Sequence, residues 1–318
     1  MKAAVVTAPG QVAVNEVDRP EPGPGEVRIR VEGCGVCASN LGPWEGPEWM
    51  SFPMGPGELG HEAWGTVDAL GEGVSGLEIG QRVAALSYRA YAEADIAKAE
   101  QVIPLPPQLD GKPFPGEPLG CAFNIFRRSG IASGQTVAII GAGFLGAVLT
   151  FLASQAGARV IAISRREESR RLARHYGAAE TIEMADHHAI IEWVKELTGG
   201  EGCERVIECV GAQWPLDLAG ELVAFGGRLI VAGYHQDGPR QVNMQLWNWK
   251  GIDVINAHER SVEVQMRGMR EAVEAVASGW LDPAPLYTHH YRIEQLAEAL
   301  NATRDKPGNF VKALVHFA

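Results

Sequence analysis

The sequence predicts an α/β chain: a doubly wound parallel sheet joined to an irregular, mainly antiparallel β lobe. Three observations carry that prediction. Strand-like and helical patterns alternate from residue 135 onward. A glycine-rich turn, Gly141-Ala142-Gly143-Phe144-Leu145-Gly146, falls between an apolar strand and a helix. Before residue 106 the chain is rich in Gly and Pro, with only short alternating apolar runs.

Those early runs are EVRIRVEG (26–33), AWGTVDAL (63–70) and QRVAAL (81–86). Alternation between turn residues indicates short antiparallel strands. The pattern changes after PPQLDGKPFPGEPL (106–119). Strand QTVAII is followed by helix FLGAVLTFLASQAG, strand ARVIAIS and helix EESRRLARHYG. Next come strand AETI, helix HHAIIEWVKELTG, strand ERVIECV, helix PLDLAGELVAFG, and strands GRLIVAG and GIDVINA. Strands alternating with helices give right-handed βαβ crossovers, hence a parallel sheet. Helical patterns at 263–278 and 293–304 and a closing strand, NFVKALVHF, return the chain to the first lobe. The expected organisation is a catalytic lobe over 1–117, a nucleotide lobe over 118–257 and a return over 258–318. No internal repeat is visible.

Length and charge narrow the function. A chain of 318 residues is long enough for two cores. The formal net charge of −11 and the lack of a basic run argue against nucleic-acid binding. No window has eighteen uninterrupted apolar residues, and MKAAVVTAPGQVAV is too polar for a signal peptide. Five cysteines without a secretory signal suggest reduced thiols or metal ligands in a cytoplasmic protein.

The glycine-rich turn matches a dinucleotide site in its required context. Gly141 permits the tight turn, Gly143 lets the backbone approach a pyrophosphate, and Gly146 lets helix and strand pack closely. Phe144 and Leu145 open the helix whose N-terminal N–H groups face the phosphates. After the next strand the chain reads Ser164-Arg165-Arg166, where an NAD site would place an acid for the ribose hydroxyls. A hydroxyl and two guanidinium groups suit a 2′-phosphate, so NADP(H) is expected over NAD(H). The competing reading is a solvated helix start balanced by Glu167 and Glu168.

Gly-Glu-Leu-Gly-His-Glu (57–62) sets His61 beside Glu62 on a glycine-flanked turn. Such a pair fits a metal ligand with its neighbour, an acid/base pair, or an ordinary loop. Upstream lies Gly33-Cys34-Gly35-Val36-Cys37-Ala38-Ser39-Asn40, and downstream Gly116-Glu117-Pro118-Leu119-Gly120-Cys121. Cys34 and Cys37 form a C-x-x-C without a second copy, which excludes a four-thiolate site unless ligands come from elsewhere.

Taken together, these segments resemble the zinc-dependent medium-chain dehydrogenase/reductase family, in its sorbitol- and threonine-dehydrogenase branch. The likeness covers nearly the whole chain, including MKAAV, PGPGEVRIRV and GEGVSGLEIGQRV. It implies a Rossmann nucleotide domain beside a GroES-like catalytic lobe, an active site in the cleft between them, and a homodimer or homotetramer. It further implies one catalytic zinc held by Cys37, His61 and Glu117. Glu62 would be a neighbour that ligates directly or acts through water on the metal, and Ser39 the proton-relaying hydroxyl. Three protein ligands with an open position are the pattern of a catalytic zinc. Cys34 reads as a buried packing residue rather than half of a redox pair or structural zinc site, and Cys121 as a packing thiol close enough to Glu117 to be a rival ligand. Cys203 and Cys209 read as packing thiols, and His187, His188, His289 and His290 as solvated surface.

Two departures stand out. The run from GQRVAAL through SYRAYAEADIAKAEQ has no cysteine, so no structural zinc is expected. Asn40 stands where many relatives have an acid, and no histidine lies near Gly42, so the proton must leave by another route. The loop 42–57 makes Trp44, Trp49 and Phe52 candidate walls for a small-molecule substrate, against the alternative that they pack the loop onto its own lobe. His258-Glu259-Arg260 adds polar groups for a hydroxylated substrate. The expected activity is hydride transfer between NADP(H) and an alcohol or polyol, or its aldehyde or ketone. The alternatives are a zinc-free quinone or enoyl reductase of the same superfamily, or a non-catalytic nucleotide-binding protein.

Overall fold

The computed structural model describes residues 1–317 and divides into two compact units, Met1–Gly120 with the segment from Ser261 onward, and Cys121–Arg260.

The first unit begins with a hairpin, β1 (Lys2–Ala8) and β2 (Gln11–Glu16). Then come β3 (Glu26–Val36), the short helix α1 (Leu41–Glu45), β4 (Ala63–Leu70), β5 (Arg82–Ala85), β6 (Ala94–Lys98) and β7 (Val102–Pro104), before helix α2 (Gly116–Ser129) leads into the second unit. Strand β3 is the hub, pairing antiparallel with both β4 and β6. Its first half alternates, with Val27, Ile29 and Val31 buried, as a strand with one wet face should. From Gly33 to Val36 every residue is buried. Gly33 and Gly35, two apart and so on one face, are bare for a reason. A Cβ at Gly33 would stand 2.1 Å from the Trp64 ring, and one at Gly35 1.8 Å from a Glu62 carboxylate oxygen.

The second unit runs β8 (Thr136–Ile140), α3 (Phe144–Gln155), β9 (Arg159–Ser164), α4 (Glu167–His175), β10 (Glu180–Glu183), α5 (His187–Leu197), β11 (Cys203–Glu208), α6 (Gln213–Leu222), β12 (Val223–Val231), α7 (Met244–Lys250) and β13 (Asp253–Asn256). Its sheet is parallel throughout, in the order β10-β9-β8-β11-β12-β13. The order reverses between β8 and β11, and ligands of such sheets bind outside the carboxyl ends of the strands at that switch point. β8 is buried from Val137 to Ile140, which explains its uninterrupted apolar run.

The return comprises α8 (Val262–Ala277), β14 (Tyr287–Arg292), α9 (Leu296–Asp305) and β15 (Lys312–His316). Helix α9 buries Leu296, Ala299, Leu300 and Thr303, the i, i+3, i+4, i+7 stripe of an amphipathic helix. β15 then pairs with β3, setting Leu314 opposite Gly35 and His316 opposite Gly33.

Four elements differ from the sequence reading. The predicted helix PLDLAGELVAFG stops at Leu222, and Val223 already belongs to β12. Helix α7 was not foreseen; Asn243 caps it by accepting the Leu246 N–H, and Gly251 ends it in a left-handed turn. Strand β14 was not foreseen because YTHHYR has no apolar alternation, its order coming from pairing with β15. GRLIVAG, which by sequence alone offers an edge strand for pairing between subunits, is β12 and is flanked on both sides, so the edge on that side of the sheet is β13.

Candidate active site

Cys37 follows the last residue of β3, and His61-Glu62 directly precede β4. The turn carrying the pair is shaped by its backbone. Gly57 and Leu59 adopt φ of +77° and +76°, and a Cβ at Gly60 would meet the Tyr91 nitrogen at 2.3 Å. A left-handed leucine is unusual, and it aims its carbonyl at the histidine. His61 Nδ1 lies 2.9 Å from that Leu59 oxygen. A carbonyl only accepts, so Nδ1 carries a proton and Nε2 is the nitrogen available to a metal. On the other side, the Ser39 N–H donates to Cys37 Sγ at 3.5 Å. Cys37, His61 and Glu62 each offer one ligand atom, all within 4.8 Å of one another.

Glu62 is fully buried. Its Oε1 accepts from Lys312 Nζ at 2.6 Å, while Oε2 is buried without a hydrogen-bond partner. Behind it, Asn40 donates to the Tyr91 hydroxyl at 2.8 Å, and that hydroxyl donates to the Gly35 carbonyl at 3.3 Å. An orphaned carboxylate oxygen beside a thiol and an imidazole is a donor set suited to zinc. The residues present therefore fit the metal that the resemblance implies. Glu117, in the first turn of α2, is half-buried and lies outside the group of three. Its charge is nevertheless felt by both His61 and Lys312.

Electrostatics in this cluster are strong. Burial pushes the His61 imidazole down, but its hydrogen bond to Cys37 and the charges of Cys37, Glu117 and Glu62 outweigh this and raise it to about 10. In the metal-free protein these interactions stabilise the fold fully below the ordinary value of 6.5, and that contribution is lost as pH rises through about 10. Zinc uptake at pH 7 must displace the His61 proton. Uptake is therefore expected to release at least one proton, with affinity rising as pH rises. Titration calorimetry in two buffers of different ionisation enthalpy counts the protons, and a count of zero would remove His61 from the ligand set.

In the second unit, Gly141 leaves β8 at φ +96°. A Cβ at Gly146 would stand 2.0 Å from the Gly141 oxygen, so only glycine lets the helix approach the turn this closely. A Cβ at Gly143 would meet nothing within 4 Å; among the described residues no protein atom demands that glycine. Phe144 is buried and Leu145 half-buried at the start of α3. Ser164, buried, ends β9, Arg165 is exposed, and Arg166 precedes α4. Burial, reinforced by Arg165, lowers the Arg166 guanidinium against the opposing pull of Glu168. The acids expected to balance this pair are engaged further along: Glu167 with Arg170 and Arg174, and Glu168 with Arg171, each at 2.6 Å.

The aromatic loop needs correction. Trp44 is not a pocket wall: it is 1% exposed, packs in the core of its unit and donates to Asn301 at 3.2 Å. Phe52 leans against the same core, and Trp49 is 77% exposed. His290 is not simply solvated either, since its Nδ1 lies 2.8 Å from His316 Nε2. His289 packs on the Phe310 ring. His258 Nε2–H donates to the Gly233 carbonyl at 3.2 Å.

Two features went unread in the sequence. Lys312 is one; its signal is a lone cation inside the apolar run FVKALV. The other is a polar chain at the carboxyl ends of β11 and β12. Buried Glu208 accepts the Val210 and Gly211 N–H groups through Oε1 and faces His235 Nε2 at 3.0 Å through Oε2. Arg240 Nε donates to His235 Nδ1 at 2.8 Å, which makes His235 the neutral tautomer protonated on Nε2. These loops are tied down at the edge where nucleotides bind.

Comparison with known proteins agrees with this geometry. Residues 23–107 match the alcohol dehydrogenase GroES-like domain, and residues 145–280 match the zinc-binding dehydrogenase domain. Sorbitol dehydrogenase of Halalkalibacterium halodurans is 28% identical, over 99% of each chain. L-threonine 3-dehydrogenase of Pyrococcus horikoshii is 29% identical, over 96% of this chain and 95% of its own. A Sinorhizobium meliloti protein described as a zinc-binding dehydrogenase, solved with NADP bound, superposes with a TM-score of 0.84 at 26% identity, over 99% of each chain. An alcohol dehydrogenase GroES-like domain in the first half and a zinc-binding dehydrogenase domain in the second, with dehydrogenase relatives aligned end to end, establish that the chain belongs to the zinc-type medium-chain alcohol dehydrogenase family.

Proposed function

We propose that this oxidoreductase transfers a hydride between NADP(H) and a small alcohol or polyol, or the corresponding aldehyde or ketone, at a single catalytic zinc. The observation that carries the reading is the trio of Cys37, His61 and Glu62, with the His61 tautomer set by Leu59 and one Glu62 oxygen left without a protein partner. Zinc bound there would polarise the substrate oxygen, favouring loss of its proton and departure of the hydride. Cys37 and His61 would hold the metal, joined by a carboxylate oxygen from Glu62 or Glu117. The Ser39 backbone supports the Cys37 sulfur, and its hydroxyl, two residues on, takes the substrate proton. The relatives named as sorbitol and threonine dehydrogenases support a CH–OH substrate.

Three things support NADP(H): no acid ends β9, Arg165 and Arg166 stand there, and the Sinorhizobium meliloti neighbour carries NADP. Elemental analysis of unchelated protein is expected to give close to one zinc per chain, and an alcohol panel with NADP⁺ to give turnover. Protein that binds NADPH without zinc would move the reading to a zinc-free reductase. Bound zinc with no turnover on any alcohol or carbonyl would move it to a silent nucleotide-binding protein.

A further inference from the structure

The closing strand contributes one charged side chain to the interior, and it goes to the metal-ligand cluster. Lys312 opens β15, Glu62 immediately precedes β4, and β3 runs between them. Their ion pair crosses β3 at Gly35, the position where a Cβ would collide with Glu62 Oε2 at 1.8 Å. The side chains are 6% and 0% exposed and 250 residues apart in sequence. Bringing two such charges out of water is unfavourable unless each is compensated. Here each charge is compensated by the other, with Lys312 Nζ donating to Glu62 Oε1 at 2.6 Å.

Resting on the zinc reading above, we propose that Lys312 is a positioning residue that serves as the internal counter-ion of the metal site. Before metal arrives, it holds the Glu62 carboxylate beside Cys37 and His61, where a buried acid would otherwise have no partner. After metal arrives, it changes the charge balance. A Cys37 thiolate and the carboxylates of Glu62 and Glu117 bring three negative charges, and Lys312 with a divalent ion brings three positive ones, so the loaded site is neutral. It also limits contact: with Oε1 committed to Lys312, Glu62 can offer a metal only one oxygen, which leaves a coordination position for the substrate.

The two states respond differently to removing the ammonium. In metal-free protein, Lys312→Met strands a buried carboxylate. In loaded protein the metal takes over its neutralisation, and repulsion between two cations disappears. Metal-free Lys312→Met is therefore expected to melt below the parent, with added Co²⁺ raising its Tm by more than it raises the parent's. A chelator should withdraw cobalt about tenfold more slowly, the scale of effects from groups that orient ligands. The cobalt visible bands should weaken as the second Glu62 oxygen joins the metal, while Lys312→Arg should keep the parent spectrum. Should Lys312→Met not fold, Lys312→Gln retains an N–H donor without the charge and is read by the same criteria.

An equal loss of Tm with and without cobalt, and bands identical to the parent's, would reduce Lys312 to a structural residue and overturn the inference while leaving the zinc site standing. A parent protein that takes up no cobalt would overturn the zinc reading and this inference together.

Discussion

Cys37→Ser is expected to yield a folded protein that has lost most of its zinc and about 10³-fold in kcat/KM, the several kcal/mol that a polarising metal contributes to the barrier. Folding should survive because Cys37 lies just beyond the end of β3, is only half-buried, and makes hydrogen bonds with the Ser39 N–H and His61 that a serine oxygen can also accept. Zinc binding should not survive, because a serine hydroxyl is not ionised at neutral pH and is a harder, weaker donor than a thiolate. The substitution also removes the largest influence holding the His61 imidazole up, its hydrogen bond and charge from Cys37. The variant should thus release fewer protons on any residual metal uptake. Elemental analysis alongside steady-state rates checks the prediction; full activity in a folded, zinc-free variant would remove Cys37 from the chemistry.

Replacing Arg165 and Arg166 together with Ala is expected to raise the Kd for NADPH by about 10²-fold, since each hydrogen bond to a charged phosphate is worth roughly 1.5–3 kcal/mol. NADH binding should change by less than about threefold, because it lacks the phosphate that such contacts grip. The α4 acids keep their partners Arg170, Arg171 and Arg174, and exposed Arg165 should contribute little to stability. Nucleotide titrations followed by fluorescence of the bound reduced cofactor separate the outcomes. Equal losses for both cofactors would sink the phosphate-clamp argument and return Arg165 and Arg166 to the role of a solvated helix start.

The nucleotide unit was legible almost strand by strand. A parallel sheet covered on both faces writes its strands as apolar runs, and its crossover helices as separate periodic segments. VAII, VIAI and RVIE each proved to be a strand, and the turn after the first is built as its glycines required at Gly141 and Gly146. The β lobe was less legible. There β3 pairs on both sides and is buried on both faces from Gly33 onward, and β14 owes its order to β15 rather than to any pattern of its own. Trp44 shows the same limit: an aromatic between two candidate ligand segments reads as a pocket wall, and only packing against α9 reveals it as core.

Local chemistry and spacing within the sequence itself determined the α/β class, the glycine turn and the cationic pair after β9, while Cys37 and the His61-Glu62 pair stood out through the family resemblance their short segments carry. Each of these resides in a short segment whose physical constraints are local. Which oxygen of Glu62 is held, which nitrogen of His61 is available, and why Gly35 must lack a side chain were decided only by tertiary structure. Those answers depend on the Leu59 carbonyl, on Glu62 lying against Gly35, and on Lys312, which enters the site from the far end of the chain. Burial makes the dependence strong, because a charge removed from water must find its partner wherever the fold supplies one, whatever the distance along the chain.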